Sequence, residues 1–222
     1  MSNETAIDYH HADAEPPHGH QYLLPPSLKL IEQQKPSRVF DLGCGNGSFV
    51  KKLGSLGIQA QGVDPSREGI ERALGADANL KVEVGSAYEP LAERFGKFPM
   101  LVSQEVIGHV YYPKKFARSV AELLEPGGTA IISTPYHGYL KNLALALTGK
   151  MDDHFTALWE HGIIKFWSVA TLTQLFAEAG LKCEQVIRAG RVPALAKSMI
   201  LKFRMPMNPK TDLQGLGTRP LR

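Results

Sequence analysis

The chain has 222 residues, 43% of them hydrophobic, which suits one globular domain with a buried core. Its 25 basic and 22 acidic side chains leave a net charge of +3, too small to argue for nucleic acid, and no apolar run is long enough to span a membrane. Two cysteines without metal-ligand spacing, Cys44 and Cys183, and no secretory signal point to a cytoplasmic protein with free thiols.

Residues 1–20 carry two prolines and four histidines, His10, His11, His18 and His20, without apolar periodicity, and read as a mobile arm. Leu24, Leu28 and Ile31 then fall at helical spacing, with Pro25 and Pro26 placed for a helix start and Pro36 closing the helix. Short apolar runs follow, "RVFDLG", "IQAQGVD", "LKVEVGSA", "FPMLVSQEV" and "GTAIISTP". Helix-length segments such as "SFVKKLGSLG", "REGIERALG" and "PKKFARSVAELLEPGG" lie between them, which is the pattern of a parallel sheet covered by helices on both faces. In the last of these, Phe116, Val120, Leu123 and Leu124 make one stripe, and Pro126 with two glycines ends the helix. A further helix is expected near Ser168 to Ala179, then strands around Lys182–Arg188 and Ser198–Arg204 joined by "AGRVPALAK". Pairing of those two makes the last strand antiparallel. The fold class is therefore α/β, a doubly wound, mostly parallel seven-stranded sheet in a domain spanning 21–204, with a tail from 205 to 222.

The segment from about 136 to 167, after the fifth strand, is the least generic. Leu140, Leu143, Ala144 and Leu147 form an apolar stripe, followed by Phe155, Trp159, Phe166 and Trp167. Two readings stand beside each other: a helical lid lining an acceptor pocket, and a second small core.

The turn "DLGCGNG" after the first strand carries Gly43, Gly45 and Gly47, and Asp64 ends the next strand about twenty residues on, a nucleoside-binding arrangement. The third glycine comes one residue early for G-x-G-x-x-G, and Asp41 puts negative charge beside the turn, which disfavours a diphosphate. S-adenosylmethionine, with a sulfonium, an ammonium, a ribose and no phosphate, fits both facts. Gly54, Gly57 and Gly62 read as helix ends and turns.

"VFDLGCGNGSF" followed by "GVDPS" resembles the first two motifs of class I S-adenosylmethionine-dependent methyltransferases, which have a Rossmann-like fold, and "SQEVIGHV" is similar to the "EVLEHV" segment of the ubiquinone-biosynthesis O-methyltransferase-like branch. The resemblance implies that Asp41, Gly43, Gly45, Asn46 and Gly47 cradle the amino acid part of the cofactor. It also implies that Asp64, with Pro65 and Ser66, holds the ribose, that Ser86 and Ala87 line the adenine, and that Glu105 and His109 face the cofactor cleft. Gly108 stands where that branch often has a second acid, so no metal is expected; Ile163 stands where it often has a histidine, with His154 and His161 nearby. His109 and His137 are the candidate catalytic bases, because imidazole titrates in a useful range for taking a hydroxyl proton. The expected function is methyl transfer to a small, apolar or aromatic acceptor at oxygen, with S-adenosylhomocysteine as product. The alternatives are methylation of tRNA or protein through Lys197, Lys202, Arg204, Lys210, Arg219 and Arg222, and a nucleoside-binding module without catalysis.

Overall fold

The computed structural model describes residues 20–207, except 156, 160 and 161. Most of the expected arm and of the tail, together with His161, lies outside the described residues. Strands β1 (Arg38–Leu42), β2 (Gln59–Asp64), β3 (Val82–Val84), β4 (Phe98–Ser103), β5 (Leu124–Pro135), β6 (Lys182–Ala189) and β7 (Ser198–Arg204) form one sheet in the order β3-β2-β1-β4-β5-β7-β6. All pairs from β3 across to β5 are parallel, and β7 runs antiparallel to both β5 and β6, as the two C-terminal strand segments imply.

Alternation along the strands buries both faces of the sheet. Val39 of β1 and Ile200 of β7 pack with Leu23, Leu30 and Ile31 of α1 (His20–Gln34) and with Phe49 and Leu53 of α2 (Ser48–Ser55). On the same side, Ile70 and Ala73 of α3 (Arg67–Ala76) close over Cys44, Val50 and Val82. On the other side Phe40, Leu42, Leu201 and Phe203 meet Leu91 of α4 (Leu91–Phe95), Phe116 and Val120 of α5 (Pro113–Leu123), and Leu172 and Phe176 of α8 (Val169–Glu178). Between β5 and α8 the chain forms α6 (Tyr139–Leu147) and α7 (Met151–Phe155). Among the described residues no helix is long and apolar enough to cross a membrane.

Several elements depart from the expectations. Helix α1 begins at His20, so Pro25 and Pro26 lie inside it, and its buried stripe is Leu23, Ser27, Leu30 and Ile31 rather than Leu24, Leu28 and Ile31. Packing of Leu23 against the sheet outweighs the preference of proline for a helix start. Helix α5 stops at Leu123, three residues ahead of Pro126, because Leu124 is already extended and opens β5. Gly62 is no turn residue: it lies inside β2, and a Cβ there would stand 2.7 Å from the Cys44 Cβ and 2.9 Å from the Asp41 carbonyl oxygen. The short helix α4 was not anticipated, although Leu91 and Phe95 are spaced for one face. Past β7 the chain stays packed: Met205 is buried and its N–H donates to the Gly128 carbonyl at 2.8 Å.

Helix α6 reverses the expected face. Leu140, Leu143 and Leu147 are exposed, while Lys141 is its buried residue. The aromatics divide: Phe155 stacks on His137 while Phe166 meets both edge to face, Trp167 packs on the main core and donates its Nε1–H to the Ile107 carbonyl at 3.0 Å, and Trp159 is exposed.

Candidate active site

Strand order reverses between β1 and β4, so the loops leaving their carboxyl ends splay apart and open a crevice. The glycine turn leaves β1 there. Gly43, Gly45 and Gly47 hold φ of 85°, 54° and 70°, the left-handed region that side chains disfavour. At Gly43 space forbids a side chain as well, since a Cβ would lie 2.3 Å from Val106 Cγ2 in the loop after β4. The turn is pinned from β2: the N–H groups of Gly43 and Cys44 both donate to the Val63 carbonyl, at 2.8 and 3.0 Å.

Asp64 joins the two loops. Its Oδ2 accepts from the Gly45 N–H at 2.8 Å and its Oδ1 from the Ser66 N–H at 2.8 Å, while Ser66 Oγ caps α3 by accepting from the Gly69 N–H at 3.1 Å. Asn46 caps the turn onto α2, its Oδ1 accepting from the Ser48 N–H at 3.2 Å. Pro65 stands between Asp64 and Ser66. Asp41 is buried under the turn, and burial, reinforced by the neighbouring Asp64, pushes its carboxyl up to about 8. Cys44 is buried beside it, and burial drives its thiol up, with Asp41 and Asp64 adding to the effect. After β3, Ser86 Oγ accepts from the Tyr88 N–H at 3.2 Å, and Ala87 packs against the core.

The loop after β4 supplies two polar groups. Both amide atoms of Gln104 are buried without a hydrogen-bond partner among the described residues, and this residue was missed in the sequence, where it reads as the polar end of a strand. Glu105 follows with φ of 59°, a strained setting for a glutamate. Ser133 Oγ donates to its Oε1 at 2.9 Å, and Ser198 Oγ, which also meets the Tyr22 hydroxyl at 3.0 Å, donates to its Oε2 at 3.3 Å. Burial pushes the Glu105 carboxyl up to about 7 against the pull of these hydroxyls and of Lys141. Glu105 opens into a cavity of about 470 Å³, whose apolar wall includes Pro135, Ala144, Leu145, Ile163 and Leu195.

The two expected bases lie apart. His109 Nδ1 sits 3.2 Å from the Gly162 carbonyl and its ring meets Trp159 edge to face. His137 is buried, and neither ring nitrogen has a hydrogen-bond partner among the described residues; it stacks on Phe155 beside a second cavity of about 500 Å³, and burial first, then Lys141, lowers it to about 4. The two positions that depart from the resembling branch touch each other: a Cβ on Gly108 would lie 3.3 Å from Ile163 Cγ2, and the Ile164 and Lys165 N–H groups both donate to the Gly108 carbonyl at 2.9 Å. Glu105 and His109 are thus left with an aliphatic contact where further metal donors would stand, and the donor set does not fit a divalent cation. Among the described residues no three His, Cys, Asp or Glu side chains converge as metal ligands.

The family model described as "Methyltransferase domain" matches residues 9–186, most of the chain. The chain belongs to the methyltransferase domain family. It is 38% identical over 116 residues to the ubiquinone biosynthesis O-methyltransferase of Caulobacter sp. strain K31, covering 50% of this chain and 46% of that relative. The methyltransferase domain chain thus spans about half the length of that curated relative. Among solved structures it superposes on the PH0226 protein of Pyrococcus horikoshii OT3 with a TM-score of 0.68 at 18% identity, over 87% of this chain and 93% of that one. Magnesium protoporphyrin IX methyltransferase from Synechocystis PCC 6803, solved with bound SAH, gives a TM-score of 0.64 at 16% identity over 84% of both chains. These likenesses establish the mostly parallel, Rossmann-like methyltransferase fold.

Proposed function

We propose that this chain is an S-adenosylmethionine-dependent methyltransferase that methylates a hydroxyl of a small aromatic acceptor. The observation that carries the reading is the crevice itself. The loops after β1 and β2 are tied by the Asp64 carboxylate at the carboxyl edge of the sheet, and Glu105, in the loop after β4, lines a cavity. The Gln104 amide, buried and without a hydrogen-bond partner among the described residues, offers a donor and an acceptor to a bound ligand.

In this reading Asp64, Pro65 and Ser66 hold the ribose, and Gly43, Gly45, Asn46 and Gly47 carry the backbone past the amino acid part. Asp41 faces its positive charge, and Ser86 and Ala87 border the adenine. When bound, S-adenosylmethionine supplies a methyl group on a sulfonium and leaves as S-adenosylhomocysteine. The protein's task is to hold the acceptor oxygen in line and to take its proton. Glu105 suits the second role, because a carboxyl held near 7 is both ionised in part and basic enough at neutral pH to accept a proton. His109, meeting the Gly162 carbonyl, ties the segment after α7 to the β4 loop, and His137, kept neutral, gives the aromatic wall a polar edge. The segment 136–167 acts as the lid of the acceptor cavity.

Methylation of tRNA or protein has less support: Lys202 and Arg204 are committed to Glu184, at 3.0 and 3.3 Å, and Lys210, Arg219 and Arg222 lie outside the described residues. The test is turnover of methyl-labelled S-adenosylmethionine with a panel of phenols and catechols. Glu105→Gln is expected to lower kcat about 10²- to 10⁴-fold while cofactor binding persists. Unchanged kcat in that variant, with the loss appearing in His109→Gln, moves the proton to His109.

A further inference from the structure

Beside the cavity lined by Glu105, the segment between β5 and α8 borders a second one of about 500 Å³. Consecutive residues of the two helices in that segment serve different cavities: Lys141 of α6 and His154 of α7 line the first, Asn142 and Phe155 the second. Among the described residues Ile163 alone lines both. The wall between the two compartments therefore runs through that side chain.

Ile163 is fastened from both ends. The N–H groups of Ile164 and Lys165, which follow it, both donate to the Gly108 carbonyl at 2.9 Å, and the carbonyl of Gly162, which precedes it, meets His109 Nδ1 at 3.2 Å. Its side chain rests on Gly108, where a Cβ would stand 3.3 Å from Ile163 Cγ2. Branching at Cβ leaves an isoleucine little freedom at χ1, so a side chain seated in this way does not swing aside cheaply. The loop after β4 thus holds the partition rigid.

The compartment behind it has the groups to receive a ligand. His137 is 8% exposed, and neither of its ring nitrogens has a hydrogen-bond partner among the described residues; Asn142 Oδ1 is likewise buried and unpartnered. Buried polar atoms in that state are completed by water or by a ligand. Burial and Lys141 keep His137 neutral, so one ring nitrogen donates and the other accepts. No charged side chain lines this cavity among the described residues, and Phe155 and Phe166, edge to face at 4.9 Å, give it aromatic walls. A neutral ring carrying a hydroxyl suits such a space. Its face lies on the aromatics, its oxygen accepts from the imidazole N–H, and its O–H donates to Asn142 Oδ1.

We propose that Ile163 determines acceptor specificity: it confines the methyl acceptor to the cavity of Glu105, and the compartment behind it takes a further neutral, hydroxyl-bearing ring once that side chain is shortened. In the parent chain water completes His137 and Asn142. A contact the size of one methylene shifts ligand preference by about 10- to 200-fold, so one aliphatic side chain is enough to set the limit.

This inference rests on the methyltransferase reading, and one set of titrations separates the two. The full chain is titrated with S-adenosylhomocysteine and then, with and without it, with phenol, para-phenylphenol and para,para-biphenol. The parent is expected to bind phenol at least as tightly as para-phenylphenol, although the longer molecule offers more apolar surface. Ile163→Ala is expected to turn that order round by about tenfold or more, with S-adenosylhomocysteine binding retained. Ile163→Val, which removes one methyl and preserves the fold, moves the order the same way by a smaller factor. In the Ile163→Ala chain para,para-biphenol binds more tightly than para-phenylphenol, and adding His137→Phe removes that advantage alone. A parent that already prefers para-phenylphenol about tenfold, or substitutions at Ile163 that move all three phenols equally, overturns the partition. Equal binding of para-phenylphenol and para,para-biphenol by the Ile163→Ala chain overturns the role given to His137 and Asn142. Binding of none of the three by a parent that binds S-adenosylhomocysteine overturns the proposal and leaves the methyltransferase reading standing. A chain that shows these preferences without binding S-adenosylhomocysteine fails the methyltransferase reading and not the partition.

Discussion

Two buried carboxyls, Asp41 and Glu105, set the behaviour of the crevice. Asp41 is raised from 3.8 to about 8 and Glu105 from 4.5 to about 7, so in the folded ligand-free protein both favour the neutral form. An acid whose folded value lies above its unfolded value contributes stability that is complete below the unfolded value and is lost as pH rises through the folded one. Thermal stability of the ligand-free protein is therefore expected to fall between about pH 4 and pH 8, and Asp41→Asn to flatten that fall in a melting series across pH. A cationic ligand reverses the preference. Affinity for S-adenosylmethionine is expected to rise with pH up to about 8 and to release a proton, seen by calorimetry in buffers of different ionisation enthalpy, and Asp41→Asn should abolish both. Glycine positions give a second residue-scale test. Gly43→Ala, which meets Val106 Cγ2 at 2.3 Å from a left-handed backbone, is expected to lower the melting temperature and to weaken the cofactor. The cost should be about 1–3 kcal/mol, read by denaturant unfolding. At this scale the turn glycines, Asp41 and Asp64 were legible because one contiguous motif and one strand end carry them. The Gln104 amide, the hydroxyl cage around Glu105 and the cations lining its cavity were not. They come from α1, β5, α6, β7 and the loops after β4, α6 and β6, and only the fold brings them together.

Among elements, the ones with strong local signals formed where expected. Helix α5 buries Phe116, Val120 and Leu123 of its expected stripe, and α8 starts after Ser168 in a capping box, Ser168 Oγ accepting from the Thr171 N–H at 3.2 Å and Thr171 Oγ1 from the Ser168 N–H at 3.1 Å. Ser168→Ala is expected to cost about 1 kcal/mol, since it strips an orphan amide of its acceptor. That shifts the melting temperature by about 2–4 °C in a domain of this size. An unchanged transition would mean that water replaces the cap at no cost. Where elements departed, tertiary packing overrode the local signal. Leu23 drew α1 past its prolines, Leu124 was claimed by the β4–β5 pairing, and Lys141 took the inward face of α6 in place of its leucines. Periodicity in the α6 segment gave the helix but not its orientation, because an apolar stripe does not say whether a core or another surface receives it.

For the molecule as a whole, the alternation of apolar runs with helix-length segments was enough to indicate a doubly wound sheet and its antiparallel last strand. The order β3-β2-β1-β4-β5-β7-β6 adds what no run of residues carries. It sets β1 against β4, placing the glycine turn, Asp64 and Glu105 on one rim. That rim is the basis for reading the chain as a methyltransferase rather than as a dinucleotide enzyme. The most direct test is calorimetric titration of the purified protein with S-adenosylmethionine and S-adenosylhomocysteine, repeated on Asp64→Ala with folding checked by circular dichroism. The account predicts saturable binding of both ligands by the parent chain and loss of both in the variant. A folded parent chain that binds neither ligand, or a variant that binds both as tightly as the parent, would contradict it.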